Sequence, residues 1–291
     1  MHRCETPGGT PLKTLRYAHS REAIDKAIGY LREKHWVRSD ARFNPEAEGG
    51  LRSEIGYRDY DLLLMLGHTP DEDPAVEGAL DLLRKHALIA PDAGAYDRDV
   101  FLDMRKRIAK FDGAWTSFSD VMERLVYALT AARQPKVLLE LGSFWGYTLA
   151  CFAGPAIGPS PEYRADRIYG VDVDATMCEK ARANLAALPN TDAVTIITGD
   201  GRDVIDQIEG PIDFLYVEAK PDDGSEFLYL ELLKRYYDKL APDAWVIAHD
   251  TTARGHLDEM AEYLPWVRDP AHFQASICFD VDRYGLELSI R

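Results

Sequence analysis

Paired cysteines are missing from this sequence. Its four, Cys4, Cys151, Cys178 and Cys278, stand far apart with no CxxC spacing, and three of them lie inside apolar segments where a free thiol packs as a small hydrophobe. That argues against a disulfide framework and for a reducing, cytoplasmic compartment. Long apolar runs are missing too: no segment approaches the roughly 18 uninterrupted apolar residues of a membrane span, and the opening "MHRCETPGGTPLKTL" lacks the apolar stretch of a signal peptide. Positive charge is scarce, with 34 Lys and Arg against 49 Asp and Glu and a net charge of −15. Nucleic acid and anionic membrane both demand clustered basic side chains, so neither is an expected partner. Internal repeats and low-complexity tracts are also absent.

What is present divides into two grammars. The 291 residues, 46% of them hydrophobic, suffice for a full core. From Tyr17 to Arg133 apolar residues recur at three and four, in "REAIDKAIGYLREKHW", "YDLLLML", "AVEGALDLLRKHALI", "DVFLDMRKRIAKF" and "SDVMERLVYALTAA", and no strand is expected there. Residues 1–133 read as a helical N-terminal cap, broken by "RFNPEAEGG", "GHTPDEDP" and "APDAGA", with Pro74 suited to a first helical turn. Its amphipathic helices are candidates for a homodimer contact.

After Pro135 short apolar runs alternate with amphipathic stretches, the pattern of a parallel sheet with crossover helices. Residues 134–291 therefore form the second unit. Its strands are expected at "KVLLELG", "RIYGVDV", "VTIITGD", "IDFLYVEA" and "AWVIAHD", with helices at 175–188 and 225–240 and a capping box of Asp223 and Glu226 before the second. "FQASICFDV", the turn "DRYG" and "LELSIR" predict a closing antiparallel hairpin.

The segment from Glu140 to Gly146, "ELGSFWG", follows a strand and opens a helix, so its glycines can bring the backbone close to a ligand beside free helical N–H groups. Two further acids, Asp172 in "YGVDVD" and Asp200 in "ITGDGRD", end the next two strands. The three carboxylates then line one C-terminal sheet edge, where open α/β folds bind ligands.

With "LLELGSFWG", "IYGVDVD" and "ITGDGRDVI" as successive motifs, the chain resembles class I S-adenosylmethionine-dependent methyltransferases over residues 136–291. The resemblance implies an α/β, Rossmann-like seven-stranded methyltransferase sheet with a terminal antiparallel hairpin, and S-adenosylmethionine as cofactor. It places Gly142 and Gly146 beside the methionine portion, Asp172 on the ribose and Asp200 near the adenine; Glu140, Ser143, Phe144, Trp145 and Gly201 complete the expected cofactor-binding set. A nicotinamide enzyme is disfavoured by the missing third glycine and by the hairpin. The insertion "AGPAIGPSPEYRAD" departs from the usual spacing and shortens the helix after the loop. Phe144 and Trp145 have two readings, a π face for the sulfonium or packing between helix and sheet.

The tone is that of small-molecule O-methyltransferases resembling catechol O-methyltransferase, carried by "FDGAWTSFSDVMERLVYAL", "VEAK" and "AWVIAHDTT". That implies methyl transfer to a small-molecule oxygen acceptor in secondary metabolism. Relatives of that kind bind a divalent metal through an Asp after strand four and an Asp-Asn pair after strand five; here stand Glu218, Asp250 and Thr251. These could form an oxygen site for Mg²⁺, but without the asparagine no metal is expected. His249 is the candidate base, its ordinary pKa lying near neutrality. The expected catalytic set is His249, Asp250, Glu218 and Tyr147, with Trp115, Thr116 and Ser117 bordering the pocket and Lys220 in a loop above it. Two alternatives remain: a weaker resemblance to azetidine-2-carboxylate synthases, which cyclise the cofactor's aminobutyrate arm and release methylthioadenosine, and a non-catalytic cofactor-binding scaffold.

Overall fold

The computed structural model describes residues 13–18, 72–113, 118–219, 228–252, 257–282 and 284–291, together with short strand or helical stretches at 26, 29, 33, 43–44 and 52–53. The strands are β1 (Lys13–Ala18), β2 (Phe43–Asn44), β3 (Arg52–Ser53), β4 (Val137–Leu141), β5 (Arg167–Asp172), β6 (Val194–Thr198), β7 (Ile212–Val217), β8 (Leu240–His249), β9 (Ala275–Asp280) and β10 (Leu286–Ile290). The helices are α1 (Asp73–Lys85), α2 (Arg98–Ile108), α3 (Asp120–Arg133), α4 (Tyr147–Ile157), α5 (Ala175–Ala186), α6 (Tyr229–Tyr236) and α7 (Leu257–Val267).

One eight-stranded sheet runs in the order β1-β9-β10-β8-β7-β4-β5-β6. The expected seven strands are all present, β4 to β8 parallel and β10 antiparallel to both β8 and β9. Strand order reverses at β4, with β5 on one side and β7 on the other. Two-residue periodicity divides the side chains between the faces. Leu138, Phe214 and Tyr216 join a core with α1 to α5, while Leu139, Leu141, Leu215 and Val217 pack beneath α6 and α7. The N-terminal helices α1 to α3 thus share one continuous core with a sheet face.

The expectation of a strand-free N-terminal region is corrected by β1, which adds an eighth strand parallel to β9, Lys13 opposite Ala275 through Ala18 opposite Asp280. Local pattern could not reveal it, because its partner is the penultimate strand. Alternation of half-buried and exposed positions marks it as an edge. It is fixed by the Arg16–Asp280 ion pair and by the Tyr17 hydroxyl, which donates to the Pro74 carbonyl at 2.9 Å. The loop expected at 42–50 also contains β2, paired with β3.

The helices at 73–85, 98–108 and 120–133 match the apolar periodicity, with Pro74 in the first turn of α1. Asp97 caps α2, Ser119 caps α3 and Asp174 caps α5, each satisfying N–H groups that a first turn leaves orphaned. The helices expected at 21–36 and 60–66 lie largely outside the described residues, although Lys26, Gly29 and Glu33 are helical. Asp223 and Glu226 lie outside them too, and α6 begins at Tyr229. The helix after the glycine loop, α4, is not short: it has 11 residues, as α2 and α7 do, and runs through Ala153–Ile157 of the segment expected to be loop, with Pro155 inside it. Cys151, Cys178 and Cys278 are buried and free. Among the described residues no helix is long and apolar enough to cross a membrane.

Candidate active site

The glycine loop links β4 to α4 at the point where strand order reverses. Gly142 and Ser143 donate to the Val171 carbonyl of β5 at 2.9 and 3.0 Å, while Glu218 N–H, just beyond β7, donates to the Leu141 carbonyl at 3.0 Å. The loop is therefore held from both neighbouring strands. Gly142 has φ +94°, and a Cβ there would lie 2.2 Å from the Glu218 carbonyl oxygen; Gly146 has φ +83° and faces Ala181 and Leu185 of α5. Both glycines are required by the approach of the protein to itself as well as by backbone conformation.

Beside this loop Glu140 is fully buried at the end of β4. Its Oε1 accepts from the Thr148 hydroxyl, and its Oε2 has no hydrogen-bond partner. Burial, reinforced by Glu218 and Asp172, pushes the carboxyl pKa well above its ordinary value. The buried Ser143 hydroxyl is likewise unpartnered. Two orphaned polar atoms at the mouth of a glycine loop are costly unless a ligand meets them, and a group bearing N–H donors fits both.

Asp172 accepts from the Phe144 and Asp174 N–H groups at 2.7 and 2.9 Å. This contact holds Phe144 at φ +45°, a left-handed conformation that costs an ordinary residue roughly 1–2 kcal/mol. Asp200 is gripped by Arg202, whose Nε lies 2.9 and 3.0 Å from its two oxygens, and that fork holds the carboxyl below its usual range. Gly201 follows, its carbonyl accepting from Tyr236 at 2.8 Å. The two aromatic side chains of the loop part company. Phe144 is 53% exposed, whereas Trp145 is 7% exposed, packs on Gly113 and stacks on Tyr147 with centroids 5.9 Å apart. Of the two readings, Trp145 follows packing.

The second half of the site lies at the ends of β7 and β8. His249 is fully buried, its Nδ1 3.5 Å from Glu218 Oε1 and 3.8 Å from Asp250 Oδ1. Its Nε2 has no hydrogen-bond partner. Phe118 meets the ring edge-on at 5.0 Å and Tyr284 tilts against it at 5.3 Å. Burial alone would lower the imidazole pKa, but Glu218, Asp250 and Asp282 outweigh it and raise the value to about 9. Asp250 takes φ +62° directly after β8, which turns the chain so that Asp250 and Thr251 are both buried at the strand end.

Glu218, His249 and Asp250 offer one donor atom each within 4.8 Å of one another. Two carboxylates and an imidazole suit a zinc- or manganese-like ion better than Mg²⁺, which prefers an all-oxygen shell. The donor set therefore does not match the magnesium site considered from sequence, and no chemistry is assigned to a metal.

Tyr147 stands apart from these groups, its hydroxyl donating to Glu123 of α3. Trp115, Thr116, Ser117 and Lys220 lie outside the described residues. Sequence reasoning missed Tyr216, whose hydroxyl donates to Glu218 Oε2; its spacing of two from Glu218 along a strand is the signal that places both on one face. It missed Phe118 and Tyr284 as well. Ser119 was also missed: its hydroxyl donates to the buried Asp282 at 3.0 Å and joins α3 to the closing hairpin.

A family described as a methyltransferase domain matches residues 139–251, from β4 through the glycine loop to the turn after β8. Over that stretch the chain is similar to this methyltransferase-domain family. The fold of this domain is shared with an O-methyltransferase from Bacillus cereus solved in complex with SAH, 14% identical, TM-score 0.51, covering 74% of this chain and 99% of its own. It is shared also with an SAH-bound methyltransferase from Podospora anserina, 17% identical, TM-score 0.50, covering 76% and 97%. No curated protein matches the chain. The class I methyltransferase sheet expected from the three motifs is the one found.

The raised pKa of His249 makes stability depend on pH. A proton held more tightly in the folded than the unfolded state stabilises the fold fully below about 6.5, and that contribution is lost as pH rises through about 9. Urea unfolding of the metal-free protein against His249→Gln should show a wild-type advantage on the order of 3 kcal/mol at pH 6 that shrinks toward pH 9.5. A difference that does not change with pH contradicts the assignment.

Proposed function

We propose that the protein transfers the methyl group of S-adenosylmethionine to an oxygen of a small molecule, in secondary metabolism. The observation that carries this reading is the convergence, on one edge of a methyltransferase sheet, of two kinds of group. One is the glycine loop with its unpartnered Glu140 and Ser143 atoms; the other is a buried His249 with an unpartnered Nε2. Glu140, Ser143 and the Gly142–Gly146 backbone would hold the amino-acid portion of the cofactor, Asp172 the ribose hydroxyls, and Asp200 with Gly201 the adenine edge. Phe144 offers the exposed aromatic surface. The cofactor supplies an electrophilic methyl carbon.

Glu218 and His249 have the arrangement of a carboxylate orienting an imidazole. Nδ1 lies 3.5 Å from Glu218 Oε1 and, like Nε2, has no hydrogen-bond partner; with the proton on the Nδ1 side that faces Glu218, the Nε2 lone pair would take the proton of an acceptor hydroxyl. Phe118 and Tyr284 on the ring exclude water, which strengthens the Glu218–His249 attraction. The buried, unpaired cysteines support a cytoplasmic setting; a homodimer stays part of the reading, although α1 to α3 turn their apolar faces to the core.

Mass spectrometry of the products tests the reading. Methyl transfer needs a second substrate held in line, so S-adenosylhomocysteine should form only with an acceptor and the enzyme should be nearly silent on the cofactor alone. Methylthioadenosine and a cyclic amino acid formed without acceptor would replace it with cofactor cyclisation; neither product under any condition would leave a binding scaffold.

With neutral His249 as base, kcat should climb with pH up to about 9, and His249→Gln should remove this limb and lower kcat by about 10²–10⁴-fold. A flat profile in the wild type assigns the proton elsewhere.

Turnover should survive exhaustive EDTA treatment, because Thr251 stands where the resembled metal-dependent enzymes carry the asparagine ligand. Loss of activity restored by a divalent ion would make Glu218, His249 and Asp250 ligands.

A further inference from the structure

The start of α4 has an unusual support. Its N-cap is Gly146, which offers no side chain to the exposed N–H groups of the first turn, and Gly142 and Gly146 both take left-handed conformations. Glycines at either end make a loop soft unless something outside fixes it. Strand contacts hold the loop's first half, at Gly142, Ser143 and Phe144; the side-chain contacts on its second half come from the helical layer. Tyr147, the first residue of α4, donates its hydroxyl to Glu123 Oε1 of α3. Glu123 Oε2 lies 2.7 Å from Arg105 Nε of α2. Arg105 in turn reaches Glu72 Oε1 at 2.6 Å and the Asp120 carbonyl.

A second tie runs in parallel. Asn184 of α5 donates to the Trp145 carbonyl at 3.0 Å and accepts from the Asp112 N–H at 2.9 Å, while the Trp145 ring packs on Gly113 and stacks on Tyr147. The loop's C-terminal half is thus joined to the helical layer at two points. Glu123 is the charged hinge of the first. Burial raises its pKa, against the pull of Tyr147 and Arg105, so a carboxylate at this position is costly except as the partner of both.

We propose that Glu123 is a positioning residue for the ligand-binding loop, holding Tyr147 and Arg105 at once so that the order of the N-terminal helical layer and the affinity of the loop for its ligand are coupled. The effect on affinity rests on the cofactor reading above; the mechanical tie does not. Losing the Tyr147 hydroxyl leaves Glu123 with Arg105, and losing Glu123 frees Tyr147 while Arg105 keeps Glu72 and the Asp120 carbonyl. Gln at position 123 keeps an acceptor for Tyr147 without the charge.

Hydrogen exchange on ligand-free protein reads the tie directly. Tyr147→Phe should speed exchange at residues 142–148 by about tenfold while β7 and β8 stay unchanged; unchanged exchange at 142–148 overturns the proposal. Calorimetry with S-adenosylhomocysteine reads the coupling. Tyr147→Phe and Glu123→Ala should each weaken binding about five- to tenfold, the double variant should bind no worse than Glu123→Ala alone, and Glu123→Gln should recover most of the loss. Additive losses, or unchanged affinity in Tyr147→Phe, overturn the coupling. Tyr147→Phe keeps the test decisive if Glu123→Ala does not fold. A wild type that binds no S-adenosylhomocysteine defeats the cofactor reading, and the exchange result then still decides the tie.

Discussion

The reversal of strand order at β4 is the constraint on which the rest of the molecule depends. Crossovers leave β4 toward β5 on one side, and the chain returns to β7 on the other, so no helix can cover the end of β4 from both directions. The crevice that results is narrow. Gly142 passes so close to the Glu218 carbonyl that a single methyl group would collide with it. The same closeness brings carboxylates from β4 and from the end of β7 within electrostatic reach, and it is why Glu218 helps to raise the Glu140 pKa.

That edge is rich in negative charge. Asp172, Glu218, Asp250 and Asp282 gather around it, and His249 answers from within while Arg202 screens Asp200. Such a field favours a cation over an anion, in keeping with a sulfonium-bearing ligand. The aromatic side chains around His249 matter for a different reason: Phe118, Tyr216 and Tyr284 keep water away, so the carboxylate-imidazole attraction acts in a low dielectric.

Much of this was legible in the sequence because it is written locally. Short apolar runs ending in Glu140, Asp172 and Asp200 mark parallel strands and their C-terminal edge, and two-residue alternation fixes which side chains face α1 to α5. The elements that escaped are those whose meaning depends on distant partners. Nothing near Glu123 announces Tyr147, nothing near Ser119 announces Asp282, and the aromatic character of "SFWG" does not say that Phe144 faces outward while Trp145 turns inward onto Gly113. Glycine spacing pointed to a ligand, yet the steric need for glycine is set by Glu218, Ala181 and Leu185. The chemistry of His249 was half legible: its type and place were plain, but its companions from β7 and the closing hairpin were not.

The pairing of β1 with β9 bears on how the chain is made. Lys13 lies opposite Ala275, so this segment must wait until the intervening chain has been made before its hydrogen-bonding groups find their partner. At synthesis rates of about 5–20 residues per second that delay is on the order of 13–50 s. Through it "KTLRYA" has neither its sheet nor the Asp280 carboxylate that pairs with Arg16. Its two basic residues, Lys13 and Arg16, are charges of the kind that discourage pairing at an exposed strand edge, and this sheet edge closes only once β9 has been made.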